Sequence, residues 1–234
     1  MSIIIPDTSL CAIVRDEVMN PAGGIFDFIN CTMPFLERGV IVDTGSLDGT
    51  REVLEEMSSQ YPNLTIFDAK FMGYAHARNI SLGKVKTKYA FVLDADERLS
   101  QEDFEQIKKC MDENGMDEYN FRLMNIYPFG EDVSGGHNPR LFDNGGEYKY
   151  TDWGGKWEQL RDKFGSVIDG KDTRVYIKHF VSSPNLKMDQ WYDGTVADSV
   201  RIGLVVPAPS TVDGFADWRR RNPLRRNYSF GLNP

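Results

Sequence analysis

A run of strand-forming apolar residues, Tyr89-Ala90-Phe91-Val92-Leu93, stops abruptly at Asp94-Ala95-Asp96-Glu97. A short, continuously apolar run is the pattern of a parallel strand covered on both faces. In open α/β sheets, ligands bind beyond the carboxyl ends of such strands. The three carboxylates therefore belong at the lip of a cleft. Residues i and i+2 of a strand point to the same side, so Asp94 and Asp96 are expected to converge. Hard dications take one or two carboxylates and complete their shell with phosphate oxygens and water. The pair thus suits Mn²⁺ or Mg²⁺ bridging a diphosphate. The plainer alternative is a solvated acidic turn leading into a helix.

Upstream, the same grammar repeats. Leu10-Cys11-Ala12-Ile13-Val14 reads as a buried strand ending at the charges Arg15-Asp16-Glu17. The spacing of Phe28, Ile29, Met33 and Leu36 predicts a helix over residues 25–38. Gly39-Val40-Ile41-Val42 is a second strand, followed by the small-residue turn Asp43-Thr44-Gly45-Ser46-Leu47-Asp48-Gly49-Thr50. Small residues allow close approach of backbone to ligand, and a helix N-terminus favours anions. Asp43, last in its strand, is a candidate ligand contact; Asp48 reads as the N-cap of the next helix. Leu64 to Phe67 form a third strand, and residues 73–82 a short helix carrying Arg78 and Asn79 side by side. An arginine fork pairs two phosphate oxygens at once, so Arg78 suits a diphosphate; the alternative is a surface ion pair. Ser100-Gln101-Glu102-Asp103 has the form of a capping box opening a helix that runs to Asn114. Strand and helix alternate four times, which predicts an α/β fold with a doubly wound, mostly parallel sheet.

The second half is mixed. Residues 119–124, 139–142 and 173–180 read as strands, the last of them carrying His179 near its end. Tyr148-Lys149-Tyr150-Thr151-Asp152-Trp153 is aromatic and continues through Gly154-Gly155 to Trp157-Glu158. A helix is expected around Trp191 and Tyr192, and the Pro-, Gly- and Arg-rich sequence beyond Val206 is expected to be irregular.

The 234 residues are 41% hydrophobic and 26% charged, the make-up of one globular domain. No stretch approaches the roughly 20 apolar residues of a membrane span. The first residues lack the basic start of a signal peptide, and Cys11, Cys31 and Cys110 have no metal-like spacing. Reduced thiols in a cytoplasm are the expectation. A net charge of −8 argues against a general nucleic-acid binder. Residues 218–234, however, hold five arginines and no acid, so an anionic partner at that end is expected.

Four segments together resemble the family 2 glycosyltransferases, which have the GT-A fold: residues 11–17, 40–50, 75–79 and 92–97. They stand in the family's order and spacing, and the resemblance covers residues 9–100. It implies that Asp43 contacts the nucleotide base and Arg78 the base or diphosphate. It also places Asp94 near the ribose or metal, has Asp96 bind the metal, and sets Arg15, Asp16 and Glu17 beside the nucleotide. Arg140-Leu141-Phe142 looks like a short motif of members that modify lipopolysaccharide cores or carry out similar transfers. Those members carry a His-Glu pair some twenty residues on; here the pair is Trp157-Glu158, so the Glu is kept and the His absent. His179 matches a late histidine that often completes the metal site.

The division implied is a nucleotide-sugar half over residues 1–100, an acceptor half over 101–206 and a basic tail over 207–234. The expected reaction is inverting, metal-dependent transfer of a sugar from a nucleoside diphosphate sugar, UDP-linked, to a hydroxyl of a glycan, lipid-linked or other acceptor. Such attack needs a base. Glu97 adjoins the metal pair, where a cation would depress its basicity. Glu158 is the first candidate and Asp152 the second, each beside a tryptophan. Two other readings stand: a nucleotidyltransferase, disfavoured by the lack of a lysine near the early loop, and a non-catalytic nucleotide-sugar-binding module.

Overall fold

The computed structural model describes residues 4–18, 20, 22–127, 130–133, 138–153 and 157–180. The expected helix at Trp191–Tyr192 and the arginine-rich tail lie outside the described residues.

Seven elements alternate through the first 92 residues: β1 (Ile5–Val14), α1 (Gly24–Thr32), β2 (Leu36–Asp43), α2 (Thr50–Gln60), β3 (Leu64–Asp68), α3 (Tyr74–Leu82) and β4 (Tyr89–Val92). There follow β5 (Glu97–Arg98), α4 (Gln101–Asn114), β6 (Glu118–Tyr127), β7 (Gly130–Val133), β8 (Asn138–Asp143), β9 (Lys149–Trp153), β10 (Trp157–Arg161) and β11 (Lys171–Phe180). One nine-stranded sheet has the order β3-β2-β1-β4-β8-β6-β11-β5, with β7 added to β6. β3, β2, β1 and β4 are mutually parallel. β8 runs antiparallel to both β4 and β6, and β11 returns parallel to β6. The doubly wound, mostly parallel half and the mixed-strand half are therefore one continuous sheet. β9 and β10 form a separate antiparallel hairpin.

The alternation of strand side chains divides the core. Leu10, Ala12 and Val14 of β1 face one layer with Phe28, Ile29, Leu54, Met57, Phe104 and Ile107 from α1, α2 and α4. Cys11 faces the opposite layer with Ala75 and Leu82 of α3 and Tyr150 and Leu160 of the hairpin. Phe91 of β4 is fully buried and stacks on Phe121 at 5.4 Å and edge-on to Phe104 at 6.3 Å. Helices thus cover both faces, as a parallel sheet requires.

One expectation is corrected here. The helix expected over 25–38 ends at Thr32; a 3₁₀ turn over Met33–Phe35 follows, and β2 already starts at Leu36. Pro34 explains the stop, because its ring removes a helix donor and clashes one turn back. Leu36 keeps its apolar partners as a strand residue instead. Glu158 lies on a strand, β10, paired to β9. The capping box is present as read: Ser100 accepts from the Asp103 amide, and Asp103 accepts from the Ser100 amide.

Candidate active site

The carboxyl ends of β1, β2, β3 and β4 lie on one edge, with Val14 beside Asp43 and Asp43 beside Asp68. Strand order reverses between β1 and β4, the switch point at which open α/β sheets hold ligands.

Asp43 ends β2 and is buried. Its Oδ1 accepts the amides of Gly45 at 2.7 Å and Ser46 at 2.8 Å. Gly45 sits at φ 106°, a conformation that favours glycine. The second oxygen, Oδ2, is buried with no hydrogen-bond partner among the described residues. A buried acceptor without a partner costs free energy, which a ligand N–H bonded to it would offset. Asp43 lines a cleft of about 290 Å³ with Gly45, Ser46, Arg51, Asp68 and Lys70. Arg51 grips Asp68 through Nε at 2.6 Å and Nη2 at 3.2 Å. This neutralises one of the two neighbouring carboxylates and leaves Asp43 as the open one. Asp48 does not cap α2, whose N-cap is Gly49. It ties the loop back to Val18, accepting that amide at 3.0 Å and the Thr50 amide at 2.9 Å.

The turn after β1 is stitched to the same loop. Asp16, at φ 55°, accepts the Leu47 amide at 2.7 Å and gives its own amide to Ser46 at 3.0 Å. Burial raises the Asp16 carboxyl above its ordinary pKa, against these bonds. Glu17 is buried and its Oε2 receives Asn20 at 3.0 Å, while Arg15 lies 3.7 Å from Asp16. Glu17, expected beside a nucleotide, is thus committed to the protein's own loop.

Asp94 and Asp96 stand together, but not as the alternation of a strand would have them. β4 ends at Val92, and the Glu97 amide donates to the Asp94 carbonyl at 2.9 Å, closing a turn over 94–97. Within the turn the two side chains take different partners. Asp94 Oδ1 takes a short bond from Arg78 Nη2, and Arg140 Nη1 lies 3.5 Å from Oδ2. Asp96, buried, has its Oδ2 3.6 Å from His179 Nε2. His179 Nδ1 bonds to Asn125 at 3.0 Å, which fixes the ring. Burial would lower the His179 pKa, but the hydrogen bond and charge of Asp96 outweigh it and the net shift is upward. β11 places His179 opposite Glu97 in register.

Arg78, whose alternative reading is a surface ion pair, is buried, 4% exposed. Nε donates to Glu158 Oε1 at 3.2 Å, Nη2 to Asp94, and Nη1 is buried without a partner among the described residues. Burial opposes its charge, yet Asp94 and Glu158 hold the group more firmly protonated than usual. Glu158 and Asp152 are directly opposite in the hairpin register and so share a face. Asp152 is exposed.

Sequence reasoning gave no role to Arg140. It is partly buried, lies 3.5 Å from Asp94 and donates from Nη2 to Glu97 at 2.6 Å. Burial raises Glu97 to about 7, with Arg140 opposing and Asp94 assisting. Arg98 and Asn20 were also missed. Arg98 donates to the carbonyls of Ala95, Glu97 and Gly24, and Asn20 donates to Ala95 at 2.8 Å. Together they fix the acidic turn from below. A charged residue beside Leu141-Phe142 in a strand was the available signal for Arg140.

Among the described residues, no three His, Cys, Asp or Glu side chains gather as a cation site. The donor chemistry nevertheless fits a hard dication at two residues, Asp96 and His179, with the remaining positions left to phosphate and water. Asp94, the third expected ligand, is paired in this structure with the guanidiniums of Arg78 and Arg140.

The sheet order, four parallel strands continued by a mixed-strand half, is that of the GT-A fold. Residues 36–180 match the model described as glycosyl transferase family 2, and the chain belongs to that family. A stretch of 63 residues is 40% identical to the teichoic acid poly(glycerol phosphate) polymerase of Staphylococcus epidermidis, covering 26% of this chain and 9% of that protein. A stretch of 73 residues is 32% identical to the cholesterol galactosyltransferase of Borreliella burgdorferi, covering 31% and 20%. The crystal structure of S. aureus TarS superposes with a TM-score of 0.51 at 14% identity, over 62% of this chain and 30% of that one. The chain spans only a small part of the length of each of these proteins. No described helix is long and apolar enough to cross a membrane.

Proposed function

We propose that the chain moves a sugar, with inversion, from a nucleoside diphosphate sugar, UDP-linked, to an acceptor hydroxyl. One observation carries the reading. A single buried guanidinium, Arg78, joins the donor-side carboxylate Asp94 to the hairpin carboxylate Glu158, so both halves of a transfer site meet at one point.

Asp43 takes a base N–H through its open oxygen; uracil N3–H is the donor it suits. Arg78 Nη1 and Arg140 supply positive charge where the departing diphosphate gains charge. Asp96 and His179 would hold Mn²⁺ or Mg²⁺, which adds charge stabilisation to that leaving group when bound. Glu158 takes the proton from the acceptor hydroxyl as its oxygen attacks the anomeric carbon. A carbon–oxygen bond forms on one face, the bond to the diphosphate breaks on the other, and its electron pair leaves with the nucleoside diphosphate. Arg78 holds Glu158 Oε1, so the other oxygen is the one that meets the hydroxyl. Asp152, on the same face, is the second candidate base. One curated relative is named for transfer to cholesterol, which supports counting a lipid hydroxyl among the acceptors, beside glycans.

A thermal-shift screen of nucleoside diphosphates with and without Mn²⁺ tests this reading. Ligand at a hundred times its Kd stabilises by about 2.7 kcal/mol, or about 5–10 °C for a domain of this size. UDP with Mn²⁺ is expected to give the largest shift. No shift with any nucleoside diphosphate would refute the proposal.

A further inference from the structure

The β9–β10 hairpin is not part of the main sheet, yet it carries both candidate bases. Its placement on α3 has two polar anchors from adjacent residues. One is the Arg78–Glu158 pair already described. The other is Asn79, whose Nδ2 donates to the Tyr150 carbonyl at 2.8 Å and whose Oδ1 accepts the Tyr150 amide at 2.8 Å. A carboxamide offers one donor face and one acceptor face. Here it makes to a single residue of β9 the pair of bonds that a further strand would make. Tyr150 and Leu160 add apolar contact, packing with Ala75 and Leu82 of α3.

We infer that Asn79 is a positioning residue: its carboxamide pegs β9 at Tyr150 and so sets the height of Glu158, across the hairpin, over the reacting centre. The geometry supports this in three ways. Tyr150 lies two residues before Asp152 on the same strand, and Asp152 is the register partner of Glu158. Asn79 and Arg78 are consecutive on a helix, so their spacing is fixed by the helix backbone. Apolar packing is not directional and Arg78 supplies one polar contact, whereas the two bonds of Asn79 add a second that fixes the register of β9 on α3. A shift of about 1 Å at a reacting group is enough to cost two orders of magnitude in rate.

The inference rests on the transfer reading, so one arm of its test needs no turnover. Hydrogen exchange is followed in the full chain and in Asn79→Ala. The variant is expected to exchange at least tenfold faster over residues 149–161, with β1 to β4 unchanged and UDP affinity within twofold. Unaltered protection of the hairpin overturns the inference whatever the activity. The second arm measures UDP release from UDP-glucose, UDP-galactose and UDP-N-acetylglucosamine. Asn79→Ala should slow release at least tenfold in the unmodified background but less than twofold in Glu158→Gln, because it acts through that carboxylate. Asn79→Asp, which keeps the acceptor and loses the donor, should fall between. Equal losses in both backgrounds overturn the inference and indicate a merely structural role. No release by the unmodified protein refutes the transfer reading and removes the catalytic part of the inference, while the exchange arm still judges the peg.

Discussion

Replacing Asp43 by Asn separates the two jobs of that side chain. Its Oδ1 closes the Asp43–Ser46 turn through two amides, at 2.7 and 2.8 Å. An asparagine keeps that oxygen and both bonds. Its Oδ2, buried and unpartnered among the described residues, becomes an amide nitrogen, so an acceptor turns into a donor. A ligand N–H that met the carboxylate now meets another N–H. A hydrogen bond to a charged group contributes about 1.5–3 kcal/mol, so UDP should bind roughly 10- to 150-fold more weakly. Stability should change by less than about 1 kcal/mol, because the turn is intact and one desolvated polar atom replaces another. Asp43→Ala, by contrast, should lose both the turn and the affinity. Calorimetric titration with UDP, alongside thermal melts, reads both quantities. Unchanged UDP affinity in Asp43→Asn would refute the assignment; a loss that merely follows a fall in stability would refute the separation of roles.

Glu158→Gln should bind UDP normally and lose turnover by roughly 100-fold or more, the scale of a lost general base; near-normal turnover with an inactive Asp152→Asn would move the role to Asp152. Glu97 is raised by burial to about 7, so the folded state binds a proton there that the unfolded chain releases near pH 4.5. Its contribution to stability is therefore complete below about pH 4.5 and is lost as pH rises to about 7; denaturant melts of the metal-free protein should show this decline, and Glu97→Gln should flatten it. Phe91→Ala removes a fully buried ring packed on Phe104 and Phe121 and should cost about 3–5 kcal/mol, read from the urea midpoint.

The strand ends were legible because buried parallel strands leave continuous apolar runs, and four of them point their last residues at one edge. Asp43, the last residue of β2, is placed at that edge for this reason. The turn over Asp94–Glu97 was not legible, since an apolar run does not say where its hydrogen bonds stop. Reading it as a strand had the two aspartates converge, whereas the turn gives Asp94 to arginines and Asp96 to His179. The strand β10 was missed because Trp157 to Arg161 lacks clear alternation and depends on pairing with β9. The partners of Arg78, Asn79 and Arg140 lie up to 80 residues away in the chain. Local periodicity carries no record of such contacts. Glu17, a charge at a strand's carboxyl end, accepts from Asn20 in the loop that follows, a local contact that the sequence pattern does not show.

The most direct measurement is release of nucleoside diphosphate from a panel of UDP- and GDP-sugars by the purified protein, with Mn²⁺ and with EDTA. The account predicts release from a UDP-sugar that EDTA abolishes and that Asp96→Ala lowers at least 100-fold while the fold stays intact. Full release by Asp96→Ala in EDTA, or none by the unmodified protein from any sugar nucleotide, would contradict it.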